Sequence, residues 1–269
     1  MSFILEDLSP GAIVKAMEAN FFQNYWPYGK LPQGEIHFEP GCTWFVSGVP
    51  EMWFNGVGDT RFEEDNLADQ IENILKHFRL KDLPMQWLIG PNTKPEALGA
   101  TLLAQGFNWG YEEPGMALDL LNMNAAIQPP ARFTIEPVLD LPTLREWAGV
   151  WMDDVPEPVA QHCQEVVYTL GMDSSLPWRY YLGRLDCIPV ATIKLFYAAG
   201  VVSVHHVATL QEVRGIGIGT ALTFHALREA RNLGYRVAVL TATPDGLPMY
   251  QRIGFRTYAS FGGYSWRPE

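Results

Sequence analysis

The spacing of apolar residues predicts strands and amphipathic helices along the whole chain. The clearest helix covers residues 65–78, where apolar side chains recur every three or four positions and Glu, Asp and Lys occupy the opposite face. Its apolar stripe consists of Leu67, Ile71, Ile74, Leu75 and Phe78. A second stripe, within residues 10–24, consists of Ile13, Ala16, Met17 and Phe21. Both patterns predict helices that bury one face.

The remaining segments complete a mixed α/β pattern. Strands are predicted where β-branched and aromatic residues cluster between turn residues, at 35–38, 43–47, 53–57, 84–89 and 133–138. Helices are predicted at 95–105, 142–151 and 159–170. Residues 107–120 are expected to form a pair of strands that turns near Glu113–Gly115, and 178–185 with 190–197 are expected to form a hairpin around residues 186–189.

The order of elements in the first half returns in the second half. A short strand, an amphipathic helix, a strand, a proline-bearing turn, a short helix and a Gly-Phe pair recur at an offset of roughly 150 residues, which indicates two copies of one fold. The pattern stops and restarts at Gln128, which two prolines follow. The sequence therefore predicts two domains, residues 1–128 and residues 129–269.

One stretch in the second half carries a candidate binding motif. Residues 201–208 are typical of a buried strand, and a loop containing Gly215, Gly217 and Gly219 follows before a helix begins near Thr220. The apolar stripe of that helix is Ile218, Leu222, Ala226, Ala230 and Leu233. Glycines let a ligand approach the backbone, and the free N–H groups of a helix N-terminus attract anions. The stretch therefore predicts a site for a phosphate-bearing ligand.

Two common phosphate-binding motifs do not fit this loop. A nucleotide P-loop needs Gly-Lys-Ser or Gly-Lys-Thr after its glycines, and the loop has none. A dinucleotide fold uses the spacing G-x-G-x-x-G and an acidic residue after the next strand. Here the glycines run G-x-G-x-G, and the strand over residues 235–240 ends in Thr241-Ala-Thr. A glycine-rich turn with a purely structural role remains an alternative.

The pattern Arg-x-x-Gly-x-Gly, filled by residues 214–219, resembles the acyl-CoA pyrophosphate loop of the GNAT superfamily of N-acetyltransferases. Tyr250-Gln-Arg-Ile-Gly-Phe255 resembles the Tyr-x-x-x-Gly-Phe motif that closes the CoA site of that family, in the same order and spacing. The resemblance implies two tandem α/β domains, each with a mixed, mostly antiparallel sheet flanked by helices. It also implies acetyl-CoA as cosubstrate and an amine as acceptor, with no metal.

The resemblance assigns roles to individual residues. The implied CoA-binding set is Val207, Ala208, Thr209, Arg214, Gly215, Ile216, Gly217, Ile218, Gly219, Thr220 and Thr243. The N–H group of Val207 would polarise the acyl carbonyl, and Tyr250 would protonate the departing thiolate. Thr243 stands where many relatives have asparagine, which puts one CoA contact in doubt. Simple packing of the short helix is the alternative role for Tyr250.

Two adjacent histidines are the candidates for the catalytic base. Some family members draw the amine proton with a histidine on this strand, and the imidazole pKa suits that task. Because side chains alternate along a strand, His205 is expected to share a face with Val207 and Thr209, and His206 to point the other way. His205 is the stronger candidate of the two. A hydrogen-bonded core residue is the alternative role for each histidine, and loss of the amine proton to bulk solvent would need no base.

The first copy of the repeat lacks these chemical groups. Where the glycine loop should lie it has residues 64–69, which contain Glu64, Asp65 and Asp69, and Leu102 occupies the place of Tyr250. Carboxylates repel phosphate, and leucine has no proton to donate. We therefore expect the first domain to be a degenerate copy without a CoA loop. It would pack against the second domain and shape the acceptor cleft.

Composition narrows the class of partner. The 269 residues carry a formal net charge of -11 and a pI near 5.0, with no Lys/Arg run, so nucleic acid is not expected as a partner. Three scattered cysteines, an acidic start and no long apolar run indicate a cytoplasmic protein without a membrane partner. The sequence does not decide between an antibiotic, a polyamine, an amino acid, a small metabolite and a protein amine as the acceptor. It also leaves open whether the chain forms a homodimer. A non-catalytic acyl-CoA sensor is the alternative function.

Overall fold

The structure, a computed structural model, describes residues 4–123 and 128–268. The helices of this part are α1 (Pro10–Gln23), α2 (Leu67–Lys81), α3 (Leu98–Ala104), α4 (Leu141–Trp151), α5 (Val159–Leu170), α6 (Ile218–Asn232) and α7 (Leu247–Ile253). The strands of the first half are β1 (Glu35–Glu39), β2 (Cys42–Val46), β3 (Gly56–Gly58), β4 (Met85–Ile89) and β5 (Asn108–Asp119). Those of the second half are β6 (Phe133–Pro137), β7 (Trp178–Leu185), β8 (Ile188–Ala198), β9 (Val201–Thr209), β10 (Val237–Thr241) and β11 (Arg256–Trp266). These elements confirm the predicted α/β class.

Contacts divide the chain into two compact units. The N-terminal unit consists of Phe21–Pro114 and the segment from Ala259 onward. The C-terminal unit consists of Gly115–Tyr258 and the described residues up to Asn20. The predicted division into residues 1–128 and 129–269 concerns a repeat along the sequence and stays a prediction. The compact units do not follow that cut, because β5 and β11 each contribute residues to both units.

In the N-terminal unit the strand order is β1-β2-β3-β4-β11-β5. The pairs β1–β2, β2–β3 and β4–β11 are antiparallel, whereas β3 and β4 are parallel, with Val57 beside Trp87. Helix α2 connects this parallel pair. All five residues of its predicted apolar stripe are buried, together with Trp44 and Trp87. The predicted helix is therefore confirmed, and its burial forms the core of the unit.

In the C-terminal unit the order is β5-β10-β9-β8-β7-β6. The pairs β5–β10, β9–β8, β8–β7 and β7–β6 are antiparallel, and β9 and β10 are parallel. Helix α6 connects the parallel pair and packs against β7, β8 and β9. The predicted stripe of α6 is buried except for Leu233, which is 60% exposed because the helix ends at Asn232.

The two units repeat the same local structure at the short helix. In α3 the carbonyl of Leu102 accepts a hydrogen bond from Phe107 N at 3.0 Å, and in α7 the carbonyl of Tyr250 accepts the equivalent bond from Phe255 N at 3.0 Å. The intervening glycines, Gly106 and Gly254, have φ of +85° and +116°. Such a left-handed residue ends a helix, and glycine adopts it without a steric penalty. The predicted repeat is confirmed at this level.

Two predicted elements differ from the structure. Residues 107–120 were expected to turn near Glu113–Gly115, but β5 is one strand of 12 residues in which Gly115 pairs with Thr241. Residues 53–57 were expected to form a strand, but a 3₁₀ turn covers Met52–Phe54 and β3 begins at Gly56. Turn-forming residues do not break a strand when neighbouring strands supply its hydrogen bonds.

The hairpin predicted around residues 186–189 is confirmed. Strands β7 and β8 are joined at Asp186 and Cys187, which have φ of +52° and +68°. Two consecutive positive φ values are those of a type I′ turn, whose twist matches that of the flanking strands. The turn sets the pairing of Leu185 with Ile188 and of Arg184 with Pro189, and a register shift follows before Gly183 pairs with Ala191.

A buried amide organises the loop between β2 and β3. The side-chain oxygen of Asn55 accepts hydrogen bonds from the N–H and hydroxyl groups of Ser47 at 2.8 and 3.0 Å. Its NH₂ group donates to the carbonyls of Val49 and Glu51 at 2.7 and 3.0 Å. Asn55 is fully buried, so water cannot replace these bonds if the side chain is lost.

We expect Asn55→Ala to lower the free energy of unfolding by about 3 kcal/mol, because the substitution leaves several buried polar groups without partners. Denaturant unfolding followed by circular dichroism measures this change. The control is Asn73→Ala on the exposed side of α2, where we expect a change within about 0.5 kcal/mol. Equal effects of the two substitutions would show that the Asn55 bonds do not organise the loop.

Candidate functional site

A groove opens in the C-terminal unit where two parallel strands separate. β9 and β10 pair only at Val202 with Ala238 and at Ser203 with Val239. On its other edge β9 stays paired with β8 as far as Thr209. The last residues of β9 thus present one backbone edge to the groove, where a ligand can bond in the manner of an added strand.

A bulge in β9 marks the inner end of this groove. His205 pairs with Lys194 and Ala208 pairs with Thr192, so His206 and Val207 together stand opposite Ile193. His206 has a φ of +51°, and its carbonyl accepts a hydrogen bond from the Thr192 hydroxyl at 2.9 Å. A non-glycine residue in this region is strained, and such strain concentrates at functional sites.

The glycine loop leads into the N-terminus of α6. Gly215 and Gly217 have φ of +85° and +92°, and nothing lies within 4 Å of a Cβ added at either position. The first bond that closes the helix runs from Ala221 N to Gly217 O at 2.9 Å. The N–H groups of residues 218–220 precede that bond, so they are available to an anion. The loop and helix therefore fit a diphosphate.

Arg214 is held at the mouth of the groove by two contacts. Its Nε donates to the carbonyl of Thr209 at 2.8 Å, and its terminal nitrogen forms an ion pair with Asp154. Asp154 lies in the acidic turn between α4 and α5, which also contains Asp153 and Glu157. The ion pair thus joins the acidic turn to the glycine loop.

The groove has a volume of ≈ 760 Å³ and brings together nearly all of the predicted CoA-binding residues. Its lining from that set is Val207, Ala208, Thr209, Arg214, Gly215, Gly217, Ile218, Gly219, Thr220 and Thr243. Ile216 does not line the groove, and its side chain is 54% exposed. Asp154, Asp245 and Arg252 also line it, and sequence analysis assigned none of the three to ligand binding.

Tyr250 lies in α7 and lines the same groove. Its residue is only 8% exposed, and its ring packs edge-on against Phe255 with centroids 5.7 Å apart. The preceding turn is closed by Thr243, whose hydroxyl accepts a hydrogen bond from Gly246 N at 3.2 Å. Thr243 thus has a structural role in presenting α7. Helix α7 therefore brings the predicted tyrosine to the groove.

The two histidines do not lie on opposite faces as expected. His206 packs edge-on against Trp151, with centroids 4.1 Å apart, on the side of the sheet that α4 covers. His205 lies opposite Lys194, whose ammonium group is over the ring of Trp178 on that same side. The bulge places two successive residues opposite one, and this interrupts the alternation. Neither histidine lines the groove.

Val207 also lies on a different face from the predicted one. It packs against the hydrophobic core beneath α6, together with Val204, and so does not share a face with His205. The ring nitrogen Nε2 of His205 is 2.7 Å from the hydroxyl of Ser203, two residues earlier on the strand. Burial, reinforced by the charge of Lys194, lowers the pKa of both imidazoles well below the ordinary value.

Lys194 is a further buried charged residue near the histidines, and no sequence motif indicated it. This residue is 2% exposed in the middle of β8, and its Nζ is 4.4 Å from the centre of the Trp178 ring. Burial lowers the pKa of Lys194 to about 7. The signal available in the sequence is a lysine within the apolar run Ile193-Lys194-Leu195-Phe196. A charge at such a position indicates a function more often than a surface lysine does.

The corresponding region of the N-terminal unit is closed by backbone hydrogen bonds. Lys94 N donates to Thr60 O at 2.9 Å, and Phe62 N donates to Lys94 O at 3.2 Å. These bonds join the segments that follow β3 and β4. Asp69 lies in the first turn of α2, and Leu102 is fully buried. The groups that would bind a ligand are thus bonded to each other.

Residues 4–123 and 128–268 contain no group of three or more His, Cys, Asp or Glu side chains that could hold a metal ion. The three cysteines form no disulfide bond: Cys42 and Cys163 are buried, and Cys187 is exposed. Within the same residues, no helix has the length and apolar character required to cross a membrane.

A further histidine of the C-terminal unit, His225, does not line the groove. Its ring lies beside that of Tyr181, with centroids 5.8 Å apart.

Comparison with solved structures shows proteins of the same fold across nearly the whole chain. A GCN5-related N-acetyltransferase from Kribbella flavida is 20% identical, with a TM-score of 0.72 over 93% of this chain and 96% of that one. A functionally unknown conserved protein from Staphylococcus epidermidis is 15% identical, with a TM-score of 0.69 over 88% and 95%. A tandem GNAT protein from the clavulanic acid biosynthesis pathway is 14% identical, with a TM-score of 0.60 over 97% and 95%.

The sequence comparisons agree with the location of the groove. None of the curated proteins matches the chain. The model of the acetyltransferase (GNAT) family matches residues 144–255, which include the end of β9, the glycine loop and Tyr250. Residues 144–255 therefore form a domain of the acetyltransferase (GNAT) family, within a chain that has the fold of tandem GNAT proteins.

Proposed function

We propose that this chain is an N-acetyltransferase that moves an acetyl group from acetyl-CoA to a primary amine by direct attack in a ternary complex. The observation that carries the proposal is the convergence of three features on one groove: the separated edge of β9, the glycine loop and Tyr250. A phosphate site alone would suit many ligands. The free strand edge and the phenol beside it favour an extended thioester.

Each part of the groove has a separate task in this proposal. The N–H groups at the start of α6 hold the diphosphate, and the backbone of Val207–Thr209 bonds to the extended arm of the ligand. The N–H group of Val207 polarises the acyl carbonyl as charge develops on its oxygen. Because the bulge fixes this part of the backbone before the ligand arrives, the donor needs little reorganisation.

Tyr250 supplies the proton for the departing thiolate. A phenol with an ordinary pKa near 10 can protonate a thiolate whose conjugate acid has a pKa near 8.5, and it remains protonated at neutral pH. The packing of its ring against Phe255 holds the Tyr250 side chain beside the groove. The acceptor amine loses its proton either to His205 or His206 or to bulk solvent.

A second candidate function is binding or sensing of an acyl-CoA without transfer. The observation in its favour is that neither His205 nor His206 lines the groove, so that no imidazole of this pair is placed where the thioester would bind. The two functions differ in their product. An enzyme releases free CoA when a suitable amine is added, whereas a sensor binds CoA and releases none with any amine or peptide of a panel.

Gly217→Ala tests the phosphate loop. Alanine is strained at a φ of +92°, so the loop must shift and the N–H groups of α6 lose their alignment. We expect the affinity for CoA, measured by calorimetry, to fall roughly tenfold or more. Gly149→Ala on the exposed side of α4 is the matched control and should leave the affinity unchanged. Equal affinities for the two variants would remove the loop from the binding site.

Tyr250→Phe tests the acid. Phenylalanine keeps the ring against Phe255 but has no proton to donate, so we expect kcat to fall by about 10²–10⁴ while CoA still binds. Acetyl transfer to a panel of amines, measured across a pH series, gives this comparison. Wild-type rates at every pH would show that the thiolate takes its proton from another source.

The number of CoA molecules bound per chain tests the degenerate copy. We expect calorimetry to give one site, because the backbone groups of Thr60 and Phe62 are already bonded to Lys94. The acidic residues of the segment 64–69 add repulsion toward a diphosphate. A second molecule per chain, or density for CoA beside that segment in a co-crystal, would contradict this expectation.

A further inference from the structure

Three side chains that bind protons lie together on the face of the sheet that α4 covers. Lys194 is the direct cross-strand neighbour of His205, and the bulge brings His206 to the same face. The two imidazole rings are 6.2 Å apart. We call Lys194, His205 and His206 the proton cluster. Its surroundings are aromatic, because Trp147 and Trp151 on α4 and Trp178 and Tyr180 on β7 enclose it.

Burial and neighbouring positive charge both lower the pKa values within this cluster. Tyr180 on β7 is the cross-strand neighbour of Lys194, and α4 contributes the indole rings of Trp147 and Trp151. Burial lowers the pKa of Lys194, and burial together with the charge of Lys194 lowers the pKa of both imidazoles. A proton bound by one member therefore opposes a proton on the others, and burial strengthens that repulsion.

We propose that the proton cluster accepts the proton of the incoming amine and that Lys194 is the group on which this proton comes to rest. The inference depends on the function proposed above and supplies the base that it left open. The bulge makes the connection, because His206 belongs to the cluster and Val207, the next residue, lines the groove. Lys194 acts through the histidines and is a positioning residue in this scheme.

The proposed step balances. The amine nitrogen forms the C–N bond of the amide and loses one proton, while the C–S bond of the thioester breaks and Tyr250 protonates the sulfur. The proton from nitrogen passes through an imidazole to the Nζ atom of Lys194, which changes from a neutral amine to an ammonium ion. Exchange with water then removes the proton from Lys194 and restores that of Tyr250.

The pKa values favour Lys194 over the histidines as the group that holds the proton taken from the amine. A proton acceptor works best when its pKa is near the pH of the reaction. Burial places the pKa of Lys194 at about 7, whereas the pKa of each imidazole is lowered well below 6.5 by burial and by the charge of Lys194. As the pH falls through 7, the cluster acquires its first proton on Lys194 and cannot accept another from the amine.

Two substitutions of Lys194 give different pH profiles under this proposal. Rates are measured with an acceptor amine that stays neutral throughout the titration, so that its own ionisation does not enter. We expect the wild-type rate to fall as the pH drops through about 7. Lys194→Met should lower the maximal rate. It should also lower, by about one unit or more, the pH at which the rate drops, because the first proton then binds to an imidazole. Lys194→Arg keeps a permanent charge and should be slow at every pH.

The control is Lys76→Met on the exposed side of α2, which should keep the wild-type profile. Methionine fills the volume of Lys194 without a charge, so that variant is expected to fold. A purely structural lysine would change the rate or the stability of the variants without moving the pH of the fall. If the rate of Lys194→Met drops at the same pH as the wild-type rate, the proposal is wrong.

A second measurement needs no activity. The Cε chemical shift of Lys194, assigned by its absence in Lys194→Met, should titrate near 7 in the wild-type protein. Titration at the ordinary value near 10.4 would also overturn the proposal. The two failures can be separated: if Lys194 titrates near 7 but no amine is acetylated, the acetyltransferase function fails. If transfer is normal and the midpoint is unchanged in Lys194→Met, only the role of Lys194 fails.

Discussion

The site depends on the point where β9 leaves its parallel partner. Two residue pairs join β9 to β10, and beyond them the bulge at His206 and Val207 turns the strand while β8 continues to hold its other edge. Backbone groups that a regular sheet would satisfy internally are thereby left for a ligand. The glycine loop and α7 follow from this separation, because each is the continuation of one of the two strands. A groove made in this way has its main donors in the backbone, so side-chain identity along β9 is weakly constrained.

The N-terminal unit shows what the same fold becomes without that separation. Its parallel pair, β3 and β4, is also joined at two positions, but the segments that follow are bonded through Lys94 to Thr60 and Phe62. These bonds satisfy backbone groups that are free for a ligand in the other unit. Fold and binding site are therefore separable in this chain. The same arrangement of helices and strands serves both units, and a few backbone hydrogen bonds decide which of them has a groove.

Features set by local chemistry could be predicted from the sequence, and features set by long-range pairing could not. The glycine loop, the stripe of α2 and the β7–β8 turn each follow from a few adjacent residues, and the structure has all three. The shared face of His205 and His206 depends on a bulge that the alternation rule does not anticipate. Lys194 lies beside His205 only because β8 pairs with β9. The turn-forming residues within β5 suggested two strands where the structure has one. Neither could be inferred without knowing which strands are neighbours.

The ion pair between Arg214 and Asp154 does not prevent a diphosphate from binding, and the magnitudes show why. Both side chains are more than half exposed, and an ion pair of that kind contributes about 0–1 kcal/mol. A diphosphate would instead meet the arginine together with several N–H groups of α6, and hydrogen bonds to a charged group contribute about 1.5–3 kcal/mol each. In the proposed complex the diphosphate would therefore replace Asp154 as the partner of Arg214. Release of Asp154 would then free the acidic turn between α4 and α5, so occupation of the phosphate loop and the state of that turn are coupled through one exchangeable contact.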